Sequence, residues 1–232
     1  MKIAITQPTF LPWQGYFALI SHVDEVVFLD DVQFEKRSWQ QRNKIKFLEK
    51  EIILTVPVIS KNKFHQRINE VNIDSKASYI RKHKASILQN YSKAKYFNKY
   101  IKKISEIYER DFHLLFDLNI SLINFFLEEL NIKTKISFSS ALGLSEKKQF
   151  LIDKICNIKK CTRYISTVGS ENYLTLLDKN KLNYEIKYFD FKHLKYTQLG
   201  NEFIKNLSIL DLLFNKGEDA IDYLNKNFFI LK

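Results

Sequence analysis

Two carboxylates stand side by side in Asp30-Asp31-Val32-Gln33, directly after the apolar run Val26-Val27-Phe28-Leu29. Acids at such a strand exit can act as a general base, a metal ligand or a ribose contact. They can also simply cap a helix or hold a solvated turn. Side chains alternate along a strand, so only one of the two can face a given pocket. A second group lies in Lys36-Arg37-Ser38-Trp39-Gln40-Gln41-Arg42-Asn43-Lys44, where guanidinium forks flank an indole. Arginine grips phosphate or carboxylate through two parallel bonds, and an aromatic face stacks on a base or a sugar. The third group is Gln7-Pro8-Thr9-Phe10-Leu11-Pro12-Trp13-Gln14-Gly15-Tyr16, which holds two of the three Pro, one of the five Gly and one of the two Trp. Pro12 can open a helical turn without losing a needed donor, and Gly15 permits close approach of a backbone or a ligand. Trp13 there serves either the core or a site wall.

Several chemistries lack their residues. The histidines, at 22, 65, 83, 113 and 193, show neither HxH nor HExxH spacing. Only two cysteines are present, Cys156 and Cys161, so no zinc motif is formed and no disulfide scaffold is expected. There is no GxSxG elbow, no GxGxxG turn and no GxxxxGK[ST] loop. A hydrolase triad of that type, an NAD-binding Rossmann domain and a P-loop NTPase therefore find no support. His83 sits in Arg81-Lys82-His83-Lys84, where neighbouring cations disfavour its protonated form.

The elements that must carry these groups follow from periodicity. Ile3–Ile5 and Glu25–Asp30 read as strands around a helix near Phe17–Ile20. That is the βαβ unit of a parallel sheet, whose ligands bind beyond the carboxyl ends of its strands. Gln7–Trp13 and Asp30–Gln33 occupy those ends. Lys36–Lys46 reads as a loop, Glu51–Val58 as an edge strand because of Pro57, and Arg67–Ile73 as a short strand before an Asp74-Ser75 cap. Helical spacing runs from Lys76 to about Asn131 and again over Lys147–Ile158. Arg163–Ser166 and Tyr184–Phe189 read as strands, and Ser208–Asn225 as two helices parted by Gly217. The expected fold is α/β and Rossmann-like: a mostly parallel sheet opened by a βαβ unit, with a large helical insertion and C-terminal helices. No repeat or linker divides the chain, so residues 1–232 are expected to form one domain, helix-rich over about 76–160.

The 232 residues are 45% hydrophobic and 27% charged, which excludes general disorder. No apolar stretch is long enough to span a membrane, and Met1-Lys2 runs into Ile3 without a signal-peptide core. With so few cysteines, a reducing cytoplasm is the expected location. The net charge of +11 is uneven: between Lys36 and Lys103, 18 cations meet only four acids. That excess is either Lys spread over solvated faces or a polyanion-binding face, which would suit nucleotide phosphates as well as RNA.

The residues in order resemble the WbqC-like family: Gln7-Pro8 with Leu11-Pro12-Trp13 and Gly15-Tyr16-Phe17, Asp30-Asp31-Val32-Gln33-Phe34, Trp39 with Arg42-Asn43-Lys44-Ile45, and Val56-Pro57-Val58. Tyr91, Tyr96-Phe97, Tyr196-x-Gln198 and Ser208-Ile209-Leu210-Asp211-Leu212-Leu213 continue the likeness over nearly the whole chain. The resemblance implies a bacterial protein of O-antigen and other surface-polysaccharide gene clusters. It further implies work on an amino sugar, linked to a nucleotide, by attachment of an acyl or aminoacyl group. Pro8-Thr9, the helix start over Leu11–Ile20 and Val26-Val27-Phe28 to Gln33-Phe34 are also similar to the first βαβ of pantothenate-synthetase-type enzymes. The two histidines of their HxGH signature are missing, Pro12 and Gly15-Tyr16 occupying that place.

On this reading Asp30, Asp31 and Gln7 are the catalytic candidates. Gln33, Trp39, Arg42, Asn43, Lys44, Trp13, Tyr16, Tyr196 and Gln198 are the substrate-binding candidates. His83, Ser208 and Asp211 are either structural or part of the site. The acyl donor stays open between an ATP-derived adenylate and a carrier thioester, and no protein-held metal is expected. The competing reading is a non-catalytic protein that binds RNA or another polyanion.

Overall fold

Strand β1 (Lys2–Thr6) is apolar at every inward position, and the chain turns at Pro8 and Pro12 into helix α1 (Gln14–Ser21). Strand β2 (Glu25–Phe28) returns parallel to β1, with Ile3 opposite Glu25 and Thr6 opposite Phe28. This computed structural model describes residues 1–75, 78–174, 177 and 181–231, and among them the expected βαβ unit is present. Its sheet runs in the order β5-β2-β1-β6-β7-β8, with β5 (Lys135–Phe138), β6 (Arg163–Thr167), β7 (Glu185–Phe191) and β8 (Phe228–Ile230). Every neighbouring pair is parallel except β7 with β8. The architecture is α/β and Rossmann-like.

Alternation along the strands divides the core into two layers. Ala4, Val26 and Phe28 face one layer with α1, α4 (Leu115–Glu129), α7 (Ile209–Lys216) and α8 (Ala220–Lys226). Ile3, Ile5 and Val27 face the other with Leu151, Ile152 and Ile155 of α5 (Lys148–Ile158). A sheet covered on both faces needs apolar residues at both parities, which is why β1 and β2 are unbroken apolar runs. Helices α2 (Tyr79–Tyr91) and α3 (Phe97–Glu109) extend the first layer, and α6 (Glu171–Leu174) follows β6.

Four elements differ from the sequence-based expectation. The second half of the expected loop Lys36–Lys46 is strand β3 (Arg42–Phe47), paired antiparallel with β4 (Lys50–Thr55). Asn43 and Ile45 are buried on one parity, while Arg42 and Lys44 are half-buried on the other, which also carries the buried Lys46. Arg67–Ile73 is not a strand. It is a 3-10 turn over Ile68–Glu70, closed by the Arg67 backbone N–H donating to Glu70 Oε2 (2.8 Å), between isolated bridges. Strand β5 lies between the two stretches expected to be helical, within the helix-rich part about 76–160, and β8 closes the far edge; at four and three residues both are too short to show a period. Helix α2 begins at Tyr79 after Ser78, and the Lys76 start lies outside the described residues. Gly217 ends α7 at φ 59°, as its position suggested.

Candidate functional site

The strand order places a reversal between β1 and β6. From β1 the chain crosses to β2 on one side, and from β6 it crosses to β7 on the other. Sheets of this kind take their ligands in the crevice beyond the carboxyl ends at such a reversal. Gln7 follows β1, Asp30 and Asp31 follow β2, and Ser139-Ser140 follow β5.

The adjacent carboxylates are treated differently by the fold. Asp30 is buried, 3% exposed, and both its oxygens are occupied. Oδ1 accepts from the Ser140 backbone N–H (3.0 Å), with Ser139 Oγ 3.2 Å away. Oδ2 accepts from Ser140 Oγ (2.6 Å) and Asn69 Nδ2 (3.2 Å). Asp30 thus ties the end of β2 to the turn after β5 and to the 3-10 turn. Asp31 is half-buried, and its Oδ1 accepts from Ser139 Oγ. One hydroxyl therefore orients a carboxylate that still reaches solvent.

Gln7 Oε1 accepts from Gln40 Nε2 (2.8 Å), and Gln40 Oε1 accepts from the Glu35 backbone N–H (2.9 Å). The turn after β1 is fixed from below. Tyr16, buried and with its hydroxyl pKa pushed up by that burial, donates to Gln7 O (3.0 Å). Asn119 Nδ2 donates to Gln40 O (2.8 Å) and Pro8 O (3.3 Å). Asn43 Nδ2 donates to Phe10 O (3.1 Å) and Leu11 O (2.9 Å), holding Leu11 at φ 43°. The half-buried Trp13 packs edge-on to Phe191 and folds back over Gly15, where an added Cβ would lie 2.1 Å from the indole. Gly15 is needed for Trp13 rather than for a ligand.

Trp39 is half-exposed at 50%, with the Lys44 ammonium 5.9 Å from its ring centroid. The Trp39 carbonyl accepts from the Phe10 N–H (2.9 Å), which joins this stretch to the turn after β1. Lys44 pairs with Glu51 (2.5 Å), whereas Arg42 Nε is buried with no partner among the described residues. Gln33 is exposed, and its Nε2 donates to Phe64 O (3.0 Å).

Tyr196, Gln198, Ser208 and Asp211 belong to a separate interior network. Asp211 is fully buried; its Oδ1 accepts from Tyr196 Oη (2.5 Å) and Gln198 Nε2 (2.8 Å), and its Oδ2 from Tyr91 Oη (3.1 Å). Gln14 Nε2 donates to Tyr196 Oη (2.8 Å), and Lys46 Nζ donates to Gln198 Oε1 (3.5 Å). Burial raises the Asp211 pKa against the pull of its donors. Ser208 caps α7 by accepting from Leu210 N–H (3.3 Å). His83 is buried between β4 and α3 with its pKa lowered to about 4; the cause is desolvation, not the neighbouring cations that the sequence offered.

The structure therefore gathers Gln7, Asp30 and Asp31 at the strand ends, with Trp39 and Asn43 bonded to the adjoining turn. Sequence reasoning missed Gln40, Asn69, Asn119, Ser139 and Ser140. Gln40 lay inside the basic stretch, but the other four sat in segments with no chemical signature.

A mostly parallel α/β sheet with polar side chains at the carboxyl ends of its strands defines a Rossmann-like fold class. Within that class the chain belongs to the WbqC-like protein family, whose model matches residues 7–223. It is 36% identical over 225 residues to "Uncharacterized protein Rv1507c" of Mycobacterium tuberculosis, covering 96% of this chain and 97% of that protein. No solved structure matches the chain.

Proposed function

We propose that the protein is a cytoplasmic enzyme of cell-surface polysaccharide biosynthesis that forms an acyl or aminoacyl amide on a nucleotide-linked amino sugar. The observation that carries this reading is Asp31: a solvent-reaching carboxylate, oriented by Ser139, at the ligand end of a parallel sheet. The sugar amine attacks the acyl carbonyl, a C–N bond forms, and the thiol or adenylate leaves. Asp31 takes the proton released from nitrogen, the role of a general base. Asp30 holds the strand end so that Asp31 keeps its aim. Gln7, fixed through Gln40, offers an oriented amide to the sugar. Arg42 and Trp39 suit the diphosphate and the base. Membership of the WbqC-like family, which the sequence resemblance associates with surface-polysaccharide gene clusters, supports the substrate class.

The test is a thermal-shift screen of uridine-, thymidine- and guanosine-diphosphate amino sugars together with ATP. A native-state ligand must raise Tm. A rise with a sugar nucleotide, followed by turnover with an acyl thioester or with acid plus ATP, is the expected result. No stabilisation by any of them, with salt-sensitive binding to RNA instead, overturns the enzyme reading.

A further inference from the structure

Next to the segment that leaves β2, the chain departs from the body between the bridges Val58–Ile73 and Gln33–Arg67 and forms a loop over residues 59–66. Its base is pinned by the Ile59 N–H donating to Asn72 O (2.9 Å) and the Phe34 N–H donating to Gln66 O (3.0 Å). Within it the Lys63 N–H donates to Ser60 O (3.3 Å), and Asn62 takes φ 60°, a conformation asparagine tolerates. Gln33 Nε2 holds the Phe64 carbonyl at 3.0 Å. This framework presents the Phe64 ring to solvent at 77% exposure, and it has no ring contact among the described residues.

The surroundings of that ring are mostly basic. Lys61, Lys63, His65 and Arg67 are exposed beside it, and Lys36 and Arg37 are exposed on the adjoining segment, with Glu35 and Glu70 the exposed acids at the margins. Between Glu51 and Glu70 the sequence holds no acid at all. A single exposed apolar side chain needs no explanation. A Phe held outward on a braced loop, inside a cluster of cations, is a different arrangement. It matches the interface of an anionic bilayer, where an aromatic ring sits at headgroup level and ammonium groups meet lipid phosphates. Single-stranded nucleic acid instead favours rings that line a basic groove tracking its backbone. No helix among the described residues is long and apolar enough to cross a membrane, so contact of this kind would be peripheral.

We propose that residues 59–67, with Lys36 and Arg37, form a docking surface for anionic phospholipid membranes, Phe64 entering the headgroup region. The proposal does not depend on the amide-forming reading. It is tested by co-sedimenting the full chain with vesicles of phosphatidylcholine alone or mixed with phosphatidylglycerol. The chain is expected to bind the mixed vesicles and not the phosphatidylcholine ones. Each cation near such a surface contributes roughly fivefold, so Lys61→Gln with Lys63→Gln should weaken binding roughly 30-fold. Phe64→Ala should weaken it roughly tenfold, and Phe64→Trp should retain it with a blue-shifted emission on binding. All these side chains are exposed, and circular dichroism checks that each variant folds. Equal binding to both vesicle types overturns the proposal. So does undiminished binding of Phe64→Ala, which would leave charge adsorption alone. Failure on vesicles with tight, Phe64-dependent binding to polyuridine would make this a nucleic-acid surface instead.

Discussion

Lowering the pH should unlock one identifiable part of the helical layer. His83 is 4% exposed on α2; its Nε2–H donates to Thr55 O (3.1 Å) and its Nδ1 accepts from Tyr108 Oη (3.3 Å). Phe10, Tyr79 and Tyr108 pack around the ring, with centroids at 5.7, 5.4 and 5.8 Å. The carbonyl partner requires the proton on Nε2, so the neutral ring is satisfied on both nitrogens. Burial therefore brings the folded pKa down from 6.5 to about 4. Between those values the unfolded chain binds a proton that the folded chain refuses, so stability falls as pH falls through that window. The contribution is complete above the unfolded value and is lost on descending toward the folded one. The gap amounts to about 3 kcal/mol. Urea unfolding of the wild type and His83→Gln from neutral pH down to pH 4 isolates this contribution. Other titrating groups act equally in both proteins. The variant is expected to start less stable at neutral pH and to lose about 3 kcal/mol less on acidification. Parallel pH profiles in the two proteins would refute the assignment.

Asp30→Asn sets an amide N–H₂ against a donor already aimed at Asp30, from Ser140 or Asn69, and should lower Tm by about 4–8 °C in differential scanning calorimetry. Asp31→Asn should leave Tm nearly unchanged and cut turnover by roughly 10²-fold, whereas Arg42→Ala should chiefly raise KM in the same kinetic assay. Asp211→Ala strands Tyr91, Tyr196 and Gln198 in the interior and should cost about 3–5 kcal/mol by urea titration. Gly15→Ala must push the Trp13 indole off its seat, costing about 1–3 kcal/mol, with a change in intrinsic fluorescence as the readout.

What the sequence revealed follows from where the physics is local. The β1–α1–β2 unit was legible because its strands are buried on both faces and its turns carry Pro and Gly. Strand β3 was not, because Arg42, Lys44 and Lys46 fill one parity, and charge masks a strand whose other parity is Asn43 and Ile45. Asp31 was visible as a carboxylate at a strand exit. That Asp30 would be consumed by Ser140, 110 residues away, depends on the pairing of β2 with β5 and has no local trace. The same holds for Tyr196, Gln198 and Asp211. Their polar character was plain, but their convergence with Tyr91 and Lys46 is set by tertiary packing. His83 shows the converse, since its sequence neighbours gave the right direction for the wrong cause.

The central claim is that a sugar nucleotide binds beyond the carboxyl ends of β1 and β2, with Asp31 at its amine. Backbone hydrogen exchange, measured with and without the sugar nucleotide that raises Tm most, tests this directly. Slowed exchange concentrated at Gln7–Leu11, Asp30–Asp31 and Ser139–Ser140 is the predicted result. Protection confined to another region, such as the 810 Å³ groove between α2 and α3 lined by Tyr79, Leu88, Ile101 and Phe112, would contradict it.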